Sequence, residues 1–198
     1  MIVRPAGRLS ASVRSVGAST TVYSFEISLS DSDRGVYESL ALRVAQHPSE
    51  TAEYLCTRVL AYCLELTEGL AFSKGGLSDR DAPALAVRDL SGVLKGWIEI
   101  GLPEPPRLHK ATKASPRVVV YSHKDLSAWL LKFRNEPVRR ADEIEVYSID
   151  HELIAGLVAR LTRRMKFDLV ATGQHLYLSF DSGTLDGAVT RIQIEHVA

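Results

Sequence analysis

Two acids eighteen positions apart, Asp81 in Asp81-Ala-Pro83 and Glu99 in Gly96-Trp-Ile-Glu-Ile-Gly101, bracket the stretch that most restricts the fold. Between them, the apolar residues of 84–88 and those from Val93 onward are separated by Ser91-Gly92. Aliphatic and β-branched residues on either side of a small glycine-containing turn read as a β-hairpin. A hairpin returns its open ends to one another, so the two carboxylates share one mouth. Such a pair suits Mg²⁺, which prefers hard oxygen ligands and usually takes one or two from protein. The same pair would equally serve as solvated acids on the rim of an ordinary hairpin. Asp89 lies near the turn, roughly 16 Å from Glu99 at about 3.3 Å per residue, and reads as a turn residue. A two-residue turn sets position 84 opposite Glu99 and puts Asp81 out of phase with it, whereas a three-residue turn brings Asp81 onto the same face; the parity does not bind if Asp81 lies outside the regular strand.

The 198 residues, 45% hydrophobic and 24% charged, are ordinary for a globular chain and predict one α/β domain over 21–198. Equal numbers of basic and acidic residues, 24 each, exclude nucleic-acid binding by bulk charge; any such partner needs a local patch. Cys56 and Cys63 lie seven apart in an apolar stripe, which predicts buried free thiols and suits a reducing cytoplasm. No apolar run approaches the ~18 residues of a membrane helix. The histidines at 47, 109, 123, 151, 175 and 196 show no HxxxH or HxH spacing, so a zinc site is not expected. Residues 1–20 carry Arg4, Arg8, Arg14 and several serines but no acid. They read as a disordered leader with the composition of a transit peptide.

From Thr21 the pattern predicts strands over 22–29 and 36–45, joined by turn chemistry at 31–35. A helix follows over 49–67, with Ser49 as N-cap and Glu50 and Glu53 at its positive end. Strands at 70–74, 84–89 and 94–100, a helix opened by prolines over 104–114 and a buried strand over 117–121 come next. A helix over 126–133, a strand over 144–149 and a helix over 151–164 lead to a closing strand meander at 166–172, 175–180 and 189–194. Arg160, Arg163, Arg164 and Lys166 would cluster at the C-terminus of that last helix. The whole predicts a mixed sheet flanked by helices, with an N-terminal β-hairpin and a C-terminal meander.

His47-Pro-Ser-Glu-Thr51, Asp81-Ala-Pro83, Trp97-Ile-Glu-Ile-Gly101 and Arg107-Leu-His-Lys110, taken together and in this order, resemble the YaeQ family of small bacterial proteins. The likeness runs from 21 to 194. That family is similar in fold to the restriction-endonuclease-like PD-(D/E)XK nucleases, whose core runs helix, three strands, helix, strand. The resemblance implies Glu50, Asp81 and Glu99 as metal ligands, Mg²⁺ as cofactor, Asp81 and Glu99 as catalytic acids, and the phosphodiesters of nucleic acid as substrate. One departure stands out: the nuclease motif places a lysine two residues after its acid, and here that position is Gly101. The cation it supplies, a preorganised donor of roughly 3 kcal/mol, would have to come from Arg107 or Lys110, three apart on one helix face, or from Lys74. The alternative is a nuclease-like scaffold without chemistry, binding protein or nucleic acid.

Overall fold

The structure, a computed structural model, describes residues 20–73, 81–136 and 138–194. Residues 1–19 of the expected leader, Lys74 with Gly75-Gly76, and His196 lie outside the described residues. Strands β1 (Thr21–Asp31) and β2 (Val36–Gln46) form the expected antiparallel hairpin, and Phe25, Ile27 and Leu29 turn inward from it. Helix α1 (Ala52–Leu64) precedes β3 (Leu70–Phe72), β4 (Leu85–Arg88) and β5 (Leu94–Ile100), which pair antiparallel in that order. Helix α2 (Pro105–Ala114) crosses over to β6 (Arg117–Ser122), parallel to β5. Helix α3 (Ser127–Asn135) and a 3₁₀ turn lead to β7 (Glu145–Ile149), parallel to β6, and then to α4 (His151–Ala159). The meander β8 (Arg164–Thr172), β9 (His175–Phe180) and β10 (Gly183–Ile192) closes the described fold.

All ten strands form one mixed sheet in the order β2-β1-β8-β9-β10-β7-β6-β5-β4-β3. Strand β10 joins its halves, pairing with β9 through Gly183–Ala188 and with β7 through Val189–Ile192. The sheet curls into a nearly closed, barrel-like shape. Phe25 and Ile27 of β1 therefore share one core with Leu85 of β4, Ile98 of β5 and the apolar residues of α1 and α4. On the outer side α2 and α3 cover β5, β6 and β7 through Trp97, Leu108, Val118, Val120, Trp129 and Val146. These parallel strands are thus buried on both faces, which is why 117–121 is continuously apolar. Strand β8, covered on one face only, alternates buried and exposed along its length.

The structure corrects several boundaries: β10 begins at Gly183, six residues before the expected 189, and α1 ends at Leu64, three before the expected 67. Helix α1 starts at Ala52, and its cap is Thr51, whose hydroxyl accepts from the Tyr54 N–H at 3.2 Å. Ser49 is instead part of a turn closed by Glu50 N–H donating to His47 O at 2.8 Å. Helix α4 stops at Ala159 although the apolar period continues, because Arg164 must already be extended to pair with Ser24 of β1. Arg164 and Lys166 accordingly belong to β8 and not to a helix end.

In the central hairpin Leu85 faces Ile98 and Ala86 faces Trp97, the register that sets position 84 opposite Glu99; a bulge follows at Val87/Arg88. The Asp89 carboxylate accepts from the Ser91 N–H and hydroxyl and from the Val93 N–H, so it builds the turn. The Ser91 hydroxyl is the largest of the influences that bring its pKa down to about 2. Ile98 is wholly buried, on a strand paired along both edges. Ile98→Ala is expected to cost about 2–5 kcal/mol in urea melts; a near-neutral result would mean that β5 is not held on both faces.

Candidate functional site

Successive side chains of a strand alternate faces, so Trp97 and Glu99 both leave β5 toward α2. The Glu99 side chain is buried, and its Oε1 accepts from Trp97 Nε1 at 2.5 Å and from Arg107 Nε at 2.8 Å. Burial pushes the Glu99 pKa up, while Arg107 and the Trp97 N–H pull it down; the balance stays above the ordinary value. The same Arg107 donates through Nη2 to Ala82 O at 2.8 Å and lies 6.0 Å from the Trp97 ring. One guanidinium therefore ties the end of β5 to the loop that carries Asp81. One helical turn further along α2, Lys110 pairs with the exposed Asp81, and this bond and charge lower the Asp81 pKa. Asp81 precedes β4 and lies outside the regular strand, so the register does not turn it away.

Glu50, Asp81 and Glu99 are not brought together as one open acid cluster. Glu50 lies before the helix cap and folds back on Arg58 of α1. Arg58 Nη2 stands 2.8 Å from Glu50 Oε1 and donates to Oε2 at 3.0 Å and to Ala45 O at 2.8 Å, while the His47 N–H also donates to Oε2. Both side chains are buried, and burial raises the Glu50 pKa against the pull of Arg58. Asp81 and Glu99 are each held instead by a cation of α2, Lys110 and Arg107, and Arg107 also reaches Ala82 beside Asp81. The hard oxygens of these two acids match the one or two carboxylates Mg²⁺ commonly takes from a protein. Among the described residues no group of three or more His, Cys, Asp or Glu is arranged to hold a metal ion.

Beside Glu99 opens a cavity of about 260 Å³, walled by Tyr54, Ala84, Ile100, Leu102, Pro103 and Arg107. The Tyr54 phenol is held protonated mainly by burial; Glu99 and Glu50 add to this, and Arg58 and Arg107 oppose it. Gly101, where a motif lysine would stand, has φ +88°, and no atom lies within 4 Å of the point a Cβ would occupy. Space is open there, but the left-handed backbone strains any L side chain. The chain leaves β5 through that turn, with the Gly101 N–H bonded to Tyr121 O at 2.8 Å. Backbone geometry thus disfavours a lysine at 101, and the cations near the acids come from α2.

Tyr54 in the wall beside Glu99 and Arg58 on Glu50 carry no motif that marks them in the sequence, and Trp97, inside the 97–101 motif, is not marked by it as a donor to Glu99. The available signal is Arg58 itself, a charge inside an apolar helical stripe that burial obliges to find a partner. Removing one member of a buried ion pair costs about 3–5 kcal/mol. Arg58→Met should therefore destabilise by that amount in urea melts, and adding Glu50→Gln should recover much of the loss. Additive losses in the double variant would mean the two side chains are not coupled.

The family model described as YaeQ protein matches residues 17–189. The uncharacterised YaeQ proteins of Escherichia coli K12 and Shigella flexneri are each 29% identical over 175 residues, covering 87% of this chain and 96% of theirs. The crystal structure of YaeQ from Xanthomonas axonopodis pv. citri matches with a TM-score of 0.81 at 33% identity, covering 88% of this chain and 99% of that one. YaeQ from Pseudomonas syringae matches with a TM-score of 0.78 at 30% identity, over 88% and 96% of the two chains. No described helix is long and apolar enough to cross a membrane. On the strength of the sequence match and of the likeness to both crystal structures, the chain belongs to the YaeQ family.

Proposed function

We propose that this chain is a Mg²⁺-dependent phosphodiester hydrolase acting on nucleic acid, built on a restriction-endonuclease-like core. The observation that carries the reading is the pairing of Arg107 with Glu99 and of Lys110 with Asp81. It sets two cations from α2 beside the two acids whose strand-borne lysine is missing. The order α1, β3, β4, β5, α2, β6 supports the same core.

Charge decides between binding with and without metal. Glu99, Asp81, Arg107 and Lys110 sum to zero, and a phosphodiester arriving alone must compete with both carboxylates for the cations. Bound at Asp81 and Glu99, Mg²⁺ would supply Lewis-acid polarisation and an acidified water. Arg107 and Lys110, released from those carboxylates, then hold phosphate oxygens; an arginine fork matches that geometry better than a lysine does. The Lys110–Asp81 pair is solvent-exposed, and such pairs add little to stability, so exchanging it is cheap. Trp97 and the cavity wall keep Glu99 in place for its part.

A second reading, a scaffold that binds nucleic acid or protein without cleaving it, is favoured by the way each acid is already held by a cation. Cleavage assays on single- and double-stranded DNA and RNA separate the two, with millimolar Mg²⁺ or Mn²⁺ and a thermal-shift measurement alongside. The hydrolase reading expects metal-dependent cleavage and a higher thermal midpoint with metal. Glu99→Gln and Asp81→Asn should abolish both, Arg107→Met should slow cleavage about 10²–10³-fold, and Asp89→Asn should change nothing. Identical metal responses in all the variants, with no cleavage, would leave the scaffold reading.

A further inference from the structure

Strands β6 and β7 are parallel neighbours, so residues that follow them emerge at the same edge of the sheet. His123 follows β6, and His151 opens α4 directly after β7. Between them and the first turn of α1 lies a cavity of about 590 Å³, lined by Thr51, Glu53, His123, Lys124, Asp125 and His151. The two imidazole rings stand 6.4 Å apart, centroid to centroid, at an interplanar angle of 22°. The Glu53 carboxylate is close enough to attract both. None of these residues belongs to the Asp81–Glu99 site.

The tautomer of His123 follows from Thr57, a wholly buried residue of α1. Its hydroxyl oxygen is 2.7 Å from Glu53 O and 2.9 Å from His123 Nδ1. A carbonyl oxygen can only accept, so the one hydroxyl proton goes to Glu53 O. Thr57 Oγ1 must then accept from His123 Nδ1–H. The neutral ring consequently carries its lone pair on Nε2. That ring is only 8% exposed, lines the cavity, and makes no hydrogen bond through Nε2 among the described residues. Burial first, then Lys124 and His151, favours the neutral form.

We propose that His123 Nε2 and His151 bind a transition-metal dication of the Zn²⁺ class, with the Glu53 carboxylate as third ligand. A buried imidazole whose other nitrogen is anchored by a hydrogen bond is the usual form of a histidine ligand. Two imidazoles with one carboxylate suit Zn²⁺ and its neighbours better than Mg²⁺. In the described conformation no three such side chains surround a metal position. Closing the set takes rotation of His151, which is exposed, and of Glu53, which is partly exposed, around the fixed His123. The anchoring Thr57 is a positioning residue.

Calorimetric titration of the full chain with Zn²⁺, and visible absorption on adding Co²⁺, test the proposal. One equivalent should bind at submillimolar metal. His151→Gln and His123→Gln should each weaken binding at least tenfold, and Thr57→Val by about ten- to a hundredfold. Glu99→Gln should bind as the wild type does, which separates this site from the proposed Mg²⁺ site. Thr57 and His123 are buried, so the exposed His151→Gln carries the test if either buried variant fails to fold. Absence of saturable binding, binding unaffected by His151→Gln, or binding lost in Glu99→Gln would each overturn the assignment.

Discussion

Helix α1 is enclosed by the curled sheet on nearly every side, and the polar chemistry of the protein follows from that enclosure. Leu55, Cys56, Val59, Leu60, Ala61 and Cys63 are buried as an all-round apolar helix should be, but so are Thr57 and Arg58. A buried polar group without a partner costs about 1–3 kcal/mol and a buried charge more. Each therefore reaches for a group on another segment. Arg58 draws in Glu50, Thr57 anchors His123, and Glu65 at the helix C-cap accepts from Arg117 and Tyr121. Arg117 in turn holds Glu145 of β7 at 2.7 Å. The cysteines need no partner, because burial, helped by Glu53 at Cys56 and opposed by Arg34 at Cys63, pushes both thiols up to about 12 and leaves them protonated.

Much of the fold was legible because local chemistry and tertiary structure agree. The hairpins and the meander have turn residues between alternating strands, and the run 117–121 announces a strand covered on both faces. The boundaries that differ are places where a distant strand or a closed turn overrides local periodicity. The apolar period beyond Ala159 is real, yet pairing of Arg164 with Ser24, 140 positions away, extends the chain. Glu50 reads as a first-turn acid because acids favour that end of a helix. Its actual place depends on Arg58, and nothing in 47–51 reveals that Arg58 will be buried. Among the site residues, Glu99 with Arg107 and Asp81 with Lys110 meet, as a hairpin mouth followed by a helix suggests. The gathering of His123 with His151 depends on two parallel strands ending side by side, which the spacing of 28 residues cannot disclose.

Gly101 stands where the proposed nuclease-like core would carry a lysine, and its backbone disfavours one. At φ +88° Gly101 makes the corner by which the chain leaves β5, and any side chain there meets strain, not crowding. A cation on the following helix avoids the strain and enters the site from the other wall. It also has a different chemistry. An arginine is permanently charged and presents several donors in one plane, and Arg107 uses two of them at once, on Glu99 and on Ala82. A lysine two residues along the strand would touch the acid site alone. Arg107 couples the acid to the loop before β4, so the position of that loop and the state of Glu99 are linked through one side chain.

The ends of β5, β6 and β7 set Glu99, His123 and His151 along one edge of the sheet, the edge at which α/β proteins commonly bind ligands. The first turn of α1 stands between the two cavities, with Tyr54 facing the one beside Glu99 and Glu53 facing the one beside the histidines. Adjacent residues of one helix thus serve two sites whose donors differ in kind. Carboxylate oxygens paired with arginine and lysine suit a hard ion that exchanges against those cations. A buried imidazole with its tautomer fixed by a helix hydroxyl suits a borderline ion. Tyr54, in the wall of the cavity beside Glu99, and Thr57, which meets His123, are one helical turn apart on the same piece of backbone.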